Sequence, residues 1–150
     1  MPLLAIGMGM YSCAGSRISR TEVTGQVVQK ARSYMGTPYR YGGTTSQGMD
    51  CSGLLMRSFE AVDVYLPRST AEQIKLGSKV KSHQLQRGDL VFFATQKKRR
   101  KVTHAGLVTD KDRDRGIVFI HASTSRGVIE SSLSEEYYRR RFITARRLKF

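Results

Sequence analysis

The chain has few side chains that could act as a nucleophile or as its base. It contains two cysteines, Cys13 and Cys51, and three histidines, His83, His104 and His121. A thiolate is a strong nucleophile, and a neighbouring imidazole can accept the proton of the thiol. The sequence therefore offers the components of a cysteine–histidine site for acyl transfer.

Cys51 lies at the predicted start of a helix. Asp50 is a typical N-cap residue, and Leu55, Phe59 and Val62 follow at helical spacing. In the first turn, the helix dipole favours a thiolate and unpaired amides can bind an oxyanion, so we expect a lowered pKa for Cys51. A buried, unreactive cysteine is the alternative.

Two of the histidines are predicted to lie close together. His104 opens one apolar segment and His121 ends the next, so a hairpin that turns at Asp112 and Arg113 would bring them side by side. They share a face only if the loop has an even number of residues. One histidine could then carry a proton while the other holds its ring. His83 lies in a polar stretch and is interpreted as an exposed side chain without a catalytic task.

A metal site is the competing interpretation, since Cys51, His104 and His121 are all zinc-ligand types. Their spacing is scattered and lacks a paired-ligand motif, so we expect neither a metal nor another cofactor. Two cysteines do not make a disulfide framework, and we expect Cys13 and Cys51 to stay unpaired.

The elements that must position these residues change type along the chain. Capping-box patterns begin at Ser19 and Ser69 and predict helices over about 20–35 and from 69 to Gly77. Glycines and turn formers make 36–49 a loop. Short apolar runs predict antiparallel strands at 90–93, 105–108 and 117–120, followed by a helix at 134–141 and a strand at 142–150. Helices first and strands afterwards predict an α+β fold.

Charge is the outlying feature of the composition. The 150 residues include 26 Lys and Arg against 12 acids, a formal net charge of +14, so we expect an anionic partner. Nucleic acid, peptidoglycan carboxylates and an anionic membrane surface all qualify. The basic tract 97–101 has no interleaved aromatic residues, which disfavours nucleic acid and predicts a solvated loop.

Six strings, in this order, resemble the NlpC family of cell-wall cysteine peptidases, which has a reduced papain-like fold. The strings are Gly36–Gly43, Asp50–Gly53, Leu66–Thr70, Arg87–Phe93, His104–Val108 and Phe119–Ser123. The resemblance implies one peptidase domain over 21–150, with N-terminal helices packed on a central antiparallel sheet.

The resemblance also implies roles for individual residues. Cys51 matches the nucleophile, His104 the base that later acts as an acid, and His121 the third polar residue. Tyr39 matches a tyrosine that stabilises the oxyanion or binds substrate.

Three further positions concern the substrate. Asp50 and Ser52 match residues that bind a stem-peptide amine in some family members, although a helix-cap role suits Asp50 equally well. For Arg68 the resemblance supplies no firm role, and we interpret it as a surface or structural arginine.

Within the family, the pattern at Ser123–Val128 resembles outer-membrane murein endopeptidase lipoproteins, which cut D-alanyl–meso-diaminopimelate cross-links. Many other members cut the D-γ-glutamyl–diaminopimelate bond. We therefore expect a monomeric peptidoglycan endopeptidase that acts on stem peptides and does not bind nucleic acid. A papain-fold acyltransferase or amidase and a basic nucleic-acid-binding module are the alternatives.

The uncharged apolar segment 1–16 resembles a secretory signal. Because Ser12, Ala14 and Gly15 flank Cys13, we predict lipidation of Cys13, with 1–20 serving as leader and tether. The enzyme would then be held by its lipid at the periplasmic side of the outer membrane. The alternative is an unmodified Cys13 in a soluble periplasmic protein.

Overall fold

The computed structural model describes residues 18–96 and 100–150, so Cys13 and most of the basic tract lie outside the described residues. The helices are α1 (Arg20–Arg32), α2 (Cys51–Glu60), α3 (Thr70–Gln73) and α4 (Glu136–Arg141). The strands are β1 (Thr44–Thr45), β2 (Gly48–Met49), β3 (Ser78–Val80), β4 (Leu90–Phe93), β5 (His104–Asp112), β6 (Gly116–Ser123), β7 (Gly127–Ser132) and β8 (Phe142–Arg147). A 3₁₀ turn spans Ser82–Gln84.

A central antiparallel sheet carries the domain. Its strand order is β3-β8-β4-β5-β6-β7, while β1 and β2 form a separate two-stranded ladder ahead of α2. Helices α1 and α2 pack on one face of the sheet, where Val28, Leu55 and Phe92 belong to one buried cluster. Phe93 and Tyr138 belong to a second cluster on the opposite face. The predicted α+β fold, with N-terminal helices on an antiparallel sheet, is confirmed.

The predicted helix starts at Ser19 and Ser69 are confirmed, whereas both helices end before the predicted residues 35 and 77, and α4 begins at Glu136 instead of residue 134. Ser19 forms a full capping box with Glu22, and α1 ends at Arg32, earlier than the predicted residue 35. Ser69 caps the short α3 by accepting a hydrogen bond from the amide of Glu72. No helix in the described ranges is long and apolar enough to cross a membrane.

Four strands were not expected from the sequence: β1 and β2, which form a short ladder within the predicted loop 36–49, and β3 and β7. Strand β7 has the sequence Gly-Val-Ile-Glu-Ser-Ser, and β3 is Ser-Lys-Val, so neither contains a long apolar run. Both lie at edges of the sheet, where one neighbour is enough to hold a strand. Strand β7 contributes to the site described below.

The hairpin of β5 and β6 reaches its register by an unexpected route. Asp112 pairs with Gly116, which leaves a loop of three residues, so the expected even-numbered loop is wrong. Strand β5 carries one extra residue at Thr109, between the pairs Val108–Phe119 and Asp110–Val118. A bulge of one residue reverses the parity of all pairs beyond it. His104 and His121 therefore lie on the same face of the sheet, although the loop has an odd number of residues.

A buried carboxylate joins the two ends of the domain. Asp89, just before β4, accepts hydrogen bonds at 2.7 Å from Nε and Nη2 of Arg147 on β8. The side chain of Asp89 is fully buried, and Arg20 of α1 lies 3.8 Å from it. This ion pair fixes β8 and α1 against the strand that leads to the site.

Candidate active site

Cys51 is a free thiol at the first position of α2, as predicted. Asp50 caps the helix by accepting a 2.8 Å hydrogen bond from the amide of Gly53. A Cβ at Gly53 would lie 2.4 Å from the carbonyl oxygen of Gly43, so any side chain there would displace the glycine-rich loop. The close contact of loop and helix thus places Cys51 at the edge of that loop.

The thiol of Cys51 is favoured over the thiolate in this environment. Burial raises the pKa of Cys51, and this effect outweighs the opposing backbone amides of Ala105, Ser52 and Cys51 itself. The expectation of a lowered pKa at the helix N-terminus is therefore wrong in sign. Removal of the sulfur from water disfavours the anion more than these three amides favour it.

The two histidines are in direct contact. Nε2 of His104 lies 2.8 Å from Nδ1 of His121, and the two rings are nearly perpendicular. Nε2 of His121 lies 2.9 Å from Oγ of Ser131 on β7. Three neighbouring strands thus supply a continuous line of hydrogen bonds: His104, His121 and Ser131. Sequence reasoning missed Ser131, because β7 gives no apolar signal.

Both imidazoles are neutral at pH 7. Burial lowers the pKa of His104 to about 4. Burial and the neighbouring His104 lower the pKa of His121 to about 3, and Phe119 and Tyr138 pack around its ring. A neutral imidazole carries one proton and one lone pair, so each ring can donate at one nitrogen and accept at the other.

Two cavities meet at Cys51. The larger, of about 340 Å³, is lined on its polar side by Asp50, Ser52 and Arg68. The smaller, of about 130 Å³, is lined by His104 and His121 among others. Three residues line both cavities: Tyr39, Cys51 and Thr103. The structure thus brings together all six site residues predicted in the described part of the chain.

Tyr39 owes its position to β7. Backbone hydrogen bonds of 2.9 Å join Gly36 to Val128 and Val128 to Thr37, just before Tyr39. Gly127 has a φ of 73°, and a Cβ there would lie 2.3 Å from the carbonyl oxygen of Thr37, so a larger residue would push this segment away. Burial, followed by the charges of Cys51 and Asp50, raises the pKa of Tyr39. Its hydroxyl therefore stays protonated and can donate.

Arg68 is a site residue for which the sequence supplied no role. Its Nη1 donates to Oδ1 of Asp50 at 3.0 Å and to Oγ of Ser52 at 2.7 Å. Its Nη2 donates to Oδ2 of Asp50 at 2.7 Å. Buried Gln73 supports this corner by donating to the carbonyl oxygens of Pro67 and Ser52. The string Leu66–Thr70 was the only sequence signal for this arginine.

Metal ligands are not grouped in the described residues, where no cluster of three or more His, Cys, Asp or Glu side chains could hold an ion. Both ring nitrogens of His121 and one of His104 already have hydrogen-bond partners. His83 is exposed and lies away from both cavities at Cys51.

Several known proteins are similar to this chain in sequence and in fold. The chain is 44% identical over 116 residues to a probable endopeptidase NlpC homolog of Haemophilus influenzae, which covers 77% of this chain and 57% of that protein. It is 38% identical over 132 residues to a murein DD-endopeptidase MepS/murein LD-carboxypeptidase of Escherichia coli, covering 87% of this chain and 66% of that protein. The chain thus spans less than two thirds of either relative.

A solved structure gives the same result for the fold. The crystal structure of a protein from Staphylococcus aureus, described as similar to a lipoprotein of the NLP/P60 family, superposes with a TM-score of 0.74 at 28% identity. The match covers 93% of this chain and 45% of that one. The model of the NlpC/P60 family itself matches residues 36–147, which is most of the chain. With Cys51, His104 and His121 assembled inside that range, this protein belongs to the NlpC/P60 family.

Proposed function

We propose that this protein is a cysteine peptidase that hydrolyses peptide bonds in the stem peptides of peptidoglycan. The 2.8 Å hydrogen bond between His104 and His121, beside a cavity that also contains Cys51, carries the proposal. The names of the relatives, a probable endopeptidase and a murein endopeptidase, support the substrate class. The basic surface suits a substrate with free carboxylates.

The hydrogen bonds assign the tautomers that this reaction needs. His104 must accept a proton from Cys51, and its Nε2 already faces His121, so Nδ1 is the accepting nitrogen. Nε2–H of His104 then donates to Nδ1 of His121, and Nε2–H of His121 donates to Ser131. This series of hydrogen bonds orients His104 and stabilises the positive charge that His104 gains, and it contains no carboxylate.

The reaction then proceeds in two halves. The sulfur of Cys51 bonds to the scissile carbonyl carbon as its proton passes to Nδ1 of His104, and the carbonyl oxygen becomes an oxyanion. The carbon–nitrogen bond breaks, and the amine leaves with the proton from His104. Water then gives a proton to His104 and attacks the thioester, and Cys51 recovers that proton when the acid departs.

The oxyanion requires donors that are in place before the reaction. Cys51 occupies the first turn of α2, where its backbone N–H has no intrahelical acceptor. The protonated hydroxyl of Tyr39 lines both cavities at the same point. We assign these two groups to the oxyanion, where the loss of one donor typically costs about 10²–10³-fold in kcat.

Digestion of purified cross-linked sacculi, with mass spectrometry of the products, tests the proposal. We propose the D-alanyl–meso-diaminopimelate cross-link as the scissile bond, so cross-linked dimers should become monomers. Loss of the N-terminal dipeptide would identify the D-γ-glutamyl–diaminopimelate bond instead. Cys51→Ala is the control and should release nothing. A chelator should leave the rate unchanged, and products carrying an added amine would indicate an acyltransferase.

We also propose that Cys13 is lipidated and holds the enzyme at the outer membrane. Support comes from the sequence alone, namely the apolar segment before Cys13 and the small residues around it. Acyl chains stabilise membrane residence by about 0.8 kcal/mol per buried CH₂. Radiolabelled palmitate should mark the parent expressed from its natural start and spare Cys13→Ser. Absence of label in both would leave a soluble periplasmic enzyme.

A further inference from the structure

Asp50 in this chain has little capacity left to bind an amine. Its Oδ1 accepts hydrogen bonds from Gly53, Ser52 and Arg68, and its Oδ2 accepts from Gly42 and Arg68. A carboxylate offers about four lone-pair sites, and five donors already surround this one. The charge of Arg68 also balances that of Asp50 across a 2.7 Å ion pair. An incoming ammonium group would therefore have to displace existing partners.

Arg68, in contrast, retains donors. A guanidinium carries five N–H bonds, and Asp50 and Ser52 take both bonds of Nη1 and one of Nη2. Among the residues that the structure describes, none accepts from Nε–H or from the second N–H of Nη2. These two bonds lie parallel along one edge of the guanidinium, which is the edge that receives a carboxylate in bidentate pairs. The side chain is 39% exposed and lines the larger cavity beside Cys51.

The position of His104 indicates which part of the substrate each cavity holds. His104 must protonate the leaving amine, and it lines only the smaller cavity. The leaving group therefore occupies the smaller cavity, and the acyl side of the scissile bond occupies the larger one with Arg68. In a stem peptide the acyl side bears free carboxylates, because γ-linked glutamate and diaminopimelate each keep one outside the chain of peptide bonds.

We propose that Arg68 is a specificity-determining residue that binds a free carboxylate on the acyl side of the stem peptide through its Nε and Nη2 edge. The proposal rests on the proposed function and names the group that the larger cavity recognises. Asp50 and Ser52 hold the guanidinium in place for this contact. Bacteria that amidate this carboxylate would present a poorer substrate.

Three synthetic cross-linked stem dimers test the proposal. One keeps all acyl-side carboxylates, one carries a carboxamide at the acyl-side diaminopimelate, and one carries it at the acyl-side γ-linked glutamate. Loss of a charge-assisted bidentate contact should lower kcat/KM on one amidated dimer by about 10- to 100-fold, mostly through KM. Equal kcat/KM on all three, or a preference for a carboxamide, would overturn the proposal.

Arg68→Lys should shrink this preference for the carboxylate, because lysine keeps a charge beside Asp50 but has no planar fork. The matched control is Arg57→Lys on α2, whose guanidinium contacts Thr44 and Glu60 and lines neither cavity; it should keep the full preference. The preference is a ratio of two substrates on one variant, so partial misfolding does not affect it. Failure of the parent to cut any dimer or sacculus would refute the proposed function instead.

Discussion

Nε2 of His104 lies 2.8 Å from Nδ1 of His121, and the second nitrogen of His121 lies 2.9 Å from the hydroxyl of Ser131. The third residue of this site is thus an uncharged ring that is itself held by an uncharged hydroxyl. No negative charge in this line stabilises an imidazolium before substrate binds.

The contributions of these residues to kcat should decrease in the order His104, His121, Ser131. His104→Ala removes the proton carrier and should lower kcat by about 10²–10⁴-fold. His121→Ala leaves the base but frees its ring, and Ser131→Ala frees only the second ring, so each should cost less than the one before. Rates of stem-dimer hydrolysis, with melting temperatures as the folding control, measure the order. A His121→Ala variant slower than His104→Ala would contradict it.

Cys51 should react as a thiol in the free enzyme. Because burial raises its pKa, alkylation by iodoacetamide should be slow at neutral pH and rise above about pH 8.5, the usual thiol pKa. The Cys13→Ser variant isolates Cys51, and peptide mass spectrometry follows the modification. His104→Ala should leave this profile unchanged. A reactivity plateau that begins below neutral pH would mean a preformed thiolate.

Folding stability should fall as the solution is acidified from about pH 6.5 to about pH 4. His104 titrates at about 4 in the folded state and near 6.5 when unfolded, so the unfolded chain binds more protons in this window. The loss should be on the order of 3 kcal/mol for His104. Chemical denaturation at several pH values measures it. His104→Gln should remove about half of this slope, because His121, with a folded pKa of about 3, still takes up a proton on unfolding. A slope unchanged from that of the parent would refute the assignment.

The ion pair of Asp89 and Arg147 should matter more than a surface pair. Arg147→Met leaves the fully buried carboxylate of Asp89 with Arg20, 3.8 Å away, as its remaining charged partner and should cost roughly 3–5 kcal/mol of unfolding free energy. Arg140→Met is the matched control, because its pair with Glu136 is exposed, and it should cost less than about 1 kcal/mol. Urea denaturation of both variants gives the comparison. Similar losses of unfolding free energy in the two variants would show that Asp89 does not anchor β8.

Binding to sacculi should weaken as salt rises, since the Debye length contracts from about 10 Å at 0.1 M to about 3 Å at 1 M. Replacement of 97–101 by neutral residues should flatten this dependence if the tract contacts the wall. The control loses the same number of charges at Lys75, Lys79, Lys81, Lys111 and Arg113, which are all exposed. Equal slopes for both variants would assign the effect to net charge alone.

Local signals in the sequence predicted the parts of the site that local structure determines. The cap at Asp50 and the apolar spacing after it located Cys51, and the family strings located Tyr39, His104 and His121. Ser131 depends on a strand that pairs at long range and has no apolar run of its own. The pKa of Cys51 depends on burial by the whole fold, which no local pattern reports.

The extra residue at Thr109 also separates the length changes that the hairpin tolerates from those that it does not. Deletion of Thr109 would join the pairs Val108–Phe119 and Asp110–Val118 into one regular ladder, so His104 and His121 should stay on the same face. Deletion of Ala105 would instead shift His104 by one position within the regular ladder and turn it away from His121. Activity that survives the first deletion and is lost in the second would show that a residue can be gained or lost at the bulge in evolution without reassembly of the site.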